Sequence, residues 1–113
     1  MSQIEGLKYG EIQFRGTTYY SDLVVWSTGK KALITKRHLI ETPLLKRLLK
    51  DKPQAIVIGV GLKGTVKIPD ESRAFLRQHK IPLFVDKTGN AIEIYNGLVC
   101  LGRRVIGIMH VTL

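Results

Sequence analysis

Three glycines behind an apolar run pose the first chemical question. Residues 55–64 read AIVIGVGLKG, and Gly59, Gly61 and Gly64 satisfy G-x-G-x-x-G. In a dinucleotide-binding unit such glycines turn the chain tightly and bring backbone amides to a pyrophosphate at a helix N-terminus. Asp86, closing the next apolar run, stands where a ribose-binding carboxylate is sought. The residues after Gly64 argue the other way. Thr65-Val66-Lys67-Ile68-Pro69 separates it from Asp70, the first credible helix cap. A helix beginning there starts too late to aim its amides at a phosphate. The unit also follows half of the chain, with too few strands left for a two-half binding fold. The spelling reads as chain reversal at a strand end, and no cofactor is expected. A second possibility stays open, a glycine loop lining some other small cleft.

Other residues with chemical potential are scattered. His38, His79 and His110 lie far apart, with no H-x-H or H-E-x-x-H spacing, so no metal site is expected. His110 ends a buried strand and reads as a satisfied core or edge histidine, and His38, beside Lys36 and Arg37, as a surface residue. No serine occupies a G-x-S-x-G elbow. Cys100 is the only cysteine, which excludes an internal disulfide, and it reads as a spectator thiol. Asp22 is expected to close a turn or pair with a cation. Asn96 is expected to bond neighbouring backbone. Arg103 and Arg104 could meet the C-terminal carbonyls of the preceding helix, or an anion. No catalytic residue is assigned.

The charge is uneven. Lys and Arg number 18 against 9 Asp and Glu, for a net charge of +9. Residues 30–52 hold eight basic side chains (Lys30, Lys31, Lys36, Arg37, Lys46, Arg47, Lys50, Lys52) against Glu41 and Asp51, and so carry +6 of it. Lys36, Arg37, Lys46, Arg47 and Lys50 form a candidate surface for an anion or a partner. No aromatic residue lies inside residues 30–52, so a single-strand stacking platform is missing there.

These residues must be positioned by one domain over residues 1–113, long enough for a single core. The apolar share of 44% is that of an ordinary globular protein, and no apolar run nears the roughly 18 residues of a membrane span. Residues 1–5 show neither a signal nor a transit pattern. The expectation is a reducing compartment, the cytoplasm, with no membrane insertion.

Along the chain, residues 11–26 read as strand, turn and strand around Arg15-Gly16-Thr17, and residues 33–35 as a short strand. Thr42-Pro43 signals a helix with a capping hydroxyl, its leucines (Leu44, Leu45, Leu48, Leu49) opposite Lys46, Arg47 and Lys50. Residues 54–60 and 82–86 read as buried strands, with a helix opening at Pro69-Asp70-Glu71 between them. Asn96-Gly97 is a hairpin signal. Yet at 100° per residue Ala91, Ile92, Ile94, Tyr95, Leu98, Val99 and Leu101 fill one half of a wheel, so a helix capped by Thr88 and closed by Gly102 is expected. Residues 104–112 supply a last buried strand. A β hairpin followed by alternating helices and strands builds a mostly parallel sheet. In that arrangement the glycine loop, the turn after Asp86 and His110 share the carboxyl edge, where open α/β sheets bind ligands. Gly59, Gly61, Thr88, Asn96 and Arg104 are the candidate cleft residues.

Several short stretches keep a family's order and spacing. They are Gly10, Tyr20-Ser21-Asp22-Leu23-Val24-Val25, Ile58-Gly59-Val60-Gly61, Thr88 with Ala91, Tyr95-Asn96, Gly102-Arg103-Arg104-Val105 and His110-Val111-Thr112. In these the chain resembles the Mth-type domain family, which includes a mitochondrial complex I assembly factor and the adipogenesis-associated Mth-domain-containing protein. The resemblance implies an α/β fold of three layers, with a mixed, mostly parallel central sheet and an N-terminal β-hairpin appendage. It implies no established enzymatic activity. This chain has Val60 where the family commonly has threonine, and ends in Leu113 where members often have cysteine. The leading functional expectation is a non-catalytic binding or assembly-type domain with a protein partner. The alternatives are a small-molecule or anion site, with possible enzyme activity, at the carboxyl edge, and nucleic-acid binding through residues 30–52.

Overall fold

The computed structural model describes residues 2–34 and 39–112. Lys36, Arg37 and His38 lie outside the described residues. Strands β1 (Ile4–Lys8), β2 (Glu11–Phe14) and β3 (Thr17–Tyr19) form an antiparallel sheet of their own. Strands β4 (Leu23–Trp26), β5 (Lys31–Leu33), β6 (Ala55–Gly59), β7 (Leu83–Asp86) and β8 (Val105–Met109) form the central sheet in the order β5-β4-β8-β6-β7. In it β6, β7 and β8 run parallel, and β4 and β5 add antiparallel on the β8 side. Helices α1 (Thr42–Leu48, followed by a 3-10 turn over Leu49–Asp51), α2 (Asp70–Gln78) and α3 (Thr88–Cys100) complete the domain.

Alternation along the strands makes the layers. Val24, Trp26, Ile56, Ile58, Ile106 and Ile108 face the side covered by α1 and α2, where Leu44, Leu45, Leu48 and Leu76 meet them. Leu23, Val25, Val57, Val105 and Met109 face the other side, covered by α3 and the small sheet through Ala91, Ile92, Tyr95, Ile12 and Phe14. A period of two thus gives β4, β6 and β8 side chains in both cores. That is the expected mixed α/β fold of three layers with an N-terminal β appendage.

Several expectations need correction. The appendage has a third strand, β1, and the second arm of the expected hairpin is divided. Thr17–Tyr19 stays in the small sheet, while Leu23–Trp26 crosses into the central one, with Tyr20 to Asp22 making the passage. β7 is an edge strand with Phe84 exposed, so it is covered less fully than its apolar composition suggests. None of the three helices has a side-chain cap, and Thr42 and Thr88 are first helical residues, preceded by extended Glu41 and Lys87. The helical reading of residues 88–100 holds, with Gly102 left-handed (φ 77°) just beyond. Leu101 is exposed, one position past the end of the helix.

Gly107 shapes the α3 interface. A Cβ there would lie 3.0 Å from the Tyr95 ring, 3.0 Å from Met109 Cε and 3.2 Å from Val25 Cγ2. Tyr95 lies against this bare backbone, and its hydroxyl donates to Ser2 O at 3.0 Å. Burial pushes the phenol well above its ordinary range. Beside it, Ile4 N donates to Asn96 Oδ1 (2.8 Å) and Asn96 Nδ2 donates to Ile4 O (2.9 Å). Asn96 therefore holds the backbone of a strand distant in sequence, where neighbouring backbone was expected.

Two glycines should respond oppositely to alanine. At Gly59 a Cβ would meet Thr88 Oγ1 at 2.7 Å, Thr88 Cα at 2.9 Å and Met109 Sδ at 3.0 Å. Gly59→Ala should cost about 1–3 kcal/mol as overpacking. Gly97 meets nothing within 4 Å in the interior of α3, so Gly97→Ala should stabilise by roughly 0.5–1 kcal/mol. Urea unfolding midpoints measure both. A pH prediction follows from Tyr95. The folded chain keeps a phenolic proton that the unfolded chain releases near pH ~10. The stability tied to that proton is whole below this pH and falls as pH rises beyond it. Unfolding free energies between pH 9 and 11 should decline more steeply for the parent than for Tyr95→Phe.

Candidate functional site

The parallel strands bring the glycine loop, the turn into α3 and the tail of β8 together at one edge, as their common direction requires. What they form there is a seal. Val60 N donates to Asp86 O (3.0 Å), Gly61 N to Thr88 Oγ1 (3.0 Å) and Leu62 N to Thr112 O (2.8 Å). Thr88 N returns a bond to Gly61 O (3.1 Å), and Thr88 Oγ1 donates to His110 O at 2.6 Å. Gly59 O accepts from His110 N (3.1 Å) and from the ring Nδ1 (2.7 Å). Since a carbonyl only accepts, Nδ1 carries a proton. The buried Thr88 hydroxyl, fully used as donor and acceptor, joins two loops and caps nothing in its own helix.

The amides of Gly61 and Leu62 are those a pyrophosphate would take, and the chain itself takes them. α2 begins at Asp70, six residues after Gly64 and away from the loop. At the start of α3, Asp86 Oδ1 accepts from Lys87 N (2.7 Å) and Asn90 Nδ2 (3.3 Å). A carboxylate thus sits where the positive end of that helix would draw an anion. Asp86 supports the helix, and the glycines Gly61 (φ 102°) and Gly64 (φ 76°) make the turn.

The five candidate cleft residues separate into three places. Gly59, Gly61 and Thr88 meet at the carboxyl edge. Asn96 lies eight residues further along α3, ~12 Å at 1.5 Å per residue, and is committed to Ile4. Arg104 precedes β8 at the opposite edge of the sheet, where its Nε donates to Lys52 O (3.1 Å) and its backbone N to Gln54 Oε1 (2.9 Å). Neither arginine contact is to the α3 carbonyls through a side chain. Asp22 is buried beside the seal, and its Oδ1 accepts from Val111 N at 2.9 Å, a distant backbone partner where a turn closure or a cation was expected. Among the described residues, no group of His, Cys, Asp and Glu is placed to hold a metal ion.

Two features escaped the sequence reading. Tyr9 and Tyr20 are 69% and 75% exposed. Tyr9 is in the β1–β2 turn, whose Gly10 N donates to Val111 O (2.8 Å), and Tyr20 precedes Asp22, whose carboxylate holds Val111 N. Both tyrosines therefore emerge beside the tail of β8 at the sealed edge. The second feature surrounds Trp26, the only tryptophan. A cleft of about 440 Å³ between α1 and the β4–β5 edge is lined by Val24, Trp26, Ala32, Ile34, Leu44 and Leu48, with exposed Lys30, Arg47 and Asp51. A smaller one, about 190 Å³, shares Trp26, Lys30 and Asp51 and adds Arg104. Trp26 Nε1 donates to Asp51 Oδ2 (2.8 Å), and Lys30 Nζ lies 3.3 Å from the same oxygen and 4.6 Å from the indole centroid. Of the candidate partner surface, Lys46, Arg47 and Lys50 are on and just after α1, all three exposed, while Lys36 and Arg37 are outside the described residues. A lone tryptophan just before a Ser-Thr-Gly turn was the available signal for this cleft.

The seal gives a direct test. Thr88→Val preserves shape and removes both hydroxyl bonds. Orphaning Gly61 N and His110 O costs about 1–3 kcal/mol each. The unfolding free energy in urea should fall by at least ~2 kcal/mol, while Thr88→Ser, which keeps the hydroxyl, should lose clearly less.

Comparison with known proteins agrees with the fold. A conserved hypothetical protein from Pyrococcus horikoshii, PH1505, matches with a TM-score of 0.86 at 19% identity, covering 98% of this chain and 99% of that one. The protein designated MT938 matches over 100% of both chains with a TM-score of 0.84 at 29% identity. A Bordetella pertussis protein described as a Mth938-like domain matches with a TM-score of 0.74 at 17% identity, covering 97% of this chain and 85% of that one. Residues 4–110 match the family model described as a protein of unknown function, DUF498/DUF598. The chain belongs to the DUF498/DUF598 family, the Mth-type domains that its glycine, tyrosine and Gly-Arg-Arg stretches resembled.

Proposed function

We propose that this chain is a non-catalytic binding domain of assembly type, and that its protein partner sits on the sealed carboxyl edge across Tyr9 and Tyr20. The observation that carries the reading is the exposure of these two tyrosines beside a backbone edge whose own amides are satisfied. Tyrosine is enriched at interfaces because it offers a large apolar area and a hydroxyl at low entropic cost. Here both tyrosines stand on an end of the small sheet that is hydrogen-bonded to the central one, so the backbone that carries them is already held in place. Preorganisation of that kind lowers the cost of association. The donors that an anionic ligand would first meet in the glycine loop, Gly61 N and Leu62 N, are already engaged, as is the Thr88 hydroxyl.

The tagged chain, expressed at native level in its own cells and retrieved with quantitative mass spectrometry, should bring down a defined protein. The double variant Tyr9→Ala/Tyr20→Ala should lose it, with a drop in affinity of at least about tenfold, since truncating a hot-spot residue costs ~2 kcal/mol or more. The variant's unfolding free energy should stay within about 0.5 kcal/mol of the parent, as exposed positions allow. A retrieved partner indifferent to both tyrosines, or none above background, overturns the proposal.

A further inference from the structure

The cleft over Trp26 belongs to a different face from the tyrosines and has its own chemistry. Its volume, about 440 Å³, falls within the ~300–1,000 Å³ of small-molecule sites. The lining is apolar from both walls, Val24, Ala32 and Ile34 from the sheet and Leu44 and Leu48 from α1. The charges at it are unbalanced. Asp51 is engaged twice through one oxygen, by the indole N–H and by Lys30. Arg47 also lines the cleft and has no ion-pair partner among the described residues. An apolar trough bordered by two cations and one committed carboxylate carries a net positive charge at its rim.

We infer that this cleft binds a small apolar carboxylate, an acyl or aryl acid whose hydrocarbon part lies along Trp26, Leu44 and Leu48 and whose headgroup is held by Arg47. A guanidinium offers paired donors in the fork geometry that a carboxylate accepts. Lys30, already on the indole face, adds a second positive charge within the same cleft. Apolar contact supplies the affinity, and the cation decides between an acid and its neutral analogue. A purely apolar molecule would leave Arg47 without a partner, and a polyanion would find no donors along the trough floor.

Trp26 is the chain's only tryptophan, so its emission reports on the cleft directly. The full chain is titrated with decanoate, kept below its micelle-forming concentration, and in parallel with decanol. Decanoate should change the Trp26 emission saturably, and decanol should bind at least about tenfold more weakly, the scale of a hydrogen bond to a charged group. Arg47→Ala, at an exposed position, should weaken decanoate about tenfold and leave decanol unchanged, with the unfolding midpoint showing that the variant is folded. Three results would each sink the inference: an emission unmoved by decanoate, equal response to acid and alcohol, or an Arg47→Ala affinity matching the parent.

Discussion

An absent side chain at Gly107 sets the spacing of the domain's second core. With no Cβ there, the Tyr95 ring approaches the middle of the central strand β8, and a Cβ would crowd Tyr95, Met109 and Val25 at 3.0–3.2 Å, so these side chains would have to give way. The helix carrying Tyr95 is thereby seated close to the sheet. From that seat the same helical turn reaches the N-terminal segment, through the phenol on Ser2 O and the paired amide bonds of Asn96 to Ile4. The small sheet is therefore located by polar contacts at its edge and by Ile12 and Phe14 beneath it. A buried phenol without a partner would be costly; the bond to Ser2 O removes that cost and fixes direction as well.

The carboxyl edge illustrates how a ligand-binding architecture can be turned to an internal purpose. Parallel strands deliver loops to a common edge whatever their sequence, and in many α/β proteins the amides there are kept for a ligand. In this chain Thr88 occupies that place. Its hydroxyl binds the glycine loop on one side and the tail of β8 on the other, at distances of 3.0 and 2.6 Å. Gly59 is required because Thr88 leaves no room for a Cβ. The glycine spelling thus reflects close approach between two pieces of the same chain, a constraint that imitates the one imposed by a phosphate.

Much of this architecture is legible in the residues. The apolar runs at 55–59 and 105–109 mark fully covered strands, and the wheel of residues 88–100 outweighs Asn96-Gly97 because Ala91, Ile92, Tyr95 and Val99 share one face. Local pattern could not divide residues 17–26, since Tyr19 and Leu23 are equally suited to a strand and only the partner strands decide which sheet each joins. Ile4 to Lys8 alternates weakly around Gly6 and becomes a strand through Asn96 and β2. The candidate site fared worse for the same reason. Thr88 and Gly61 share one edge because parallel strands end there, but their bonding depends on loop paths. Asn96 and Arg104 look like neighbours of that edge in sequence and are carried away from it by the length of α3. Trp26 met Asp51 through the packing of α1 on the sheet, a contact no single segment announces.

The clamp between Ile4 and Asn96 spans 92 positions, and β4 pairs along one side with the last strand. During synthesis the first quarter of the chain therefore emerges long before either support exists. Closing loops of such length is entropically slow, and ribosomes add only about 5–20 residues each second. Ile12, Phe14 and Leu23 on these early strands are covered by partners that come much later in the sequence, Ala91 to Val111. The central sheet is in that sense closed from within, complete only when β8 slides between β4 and β6, two strands made earlier.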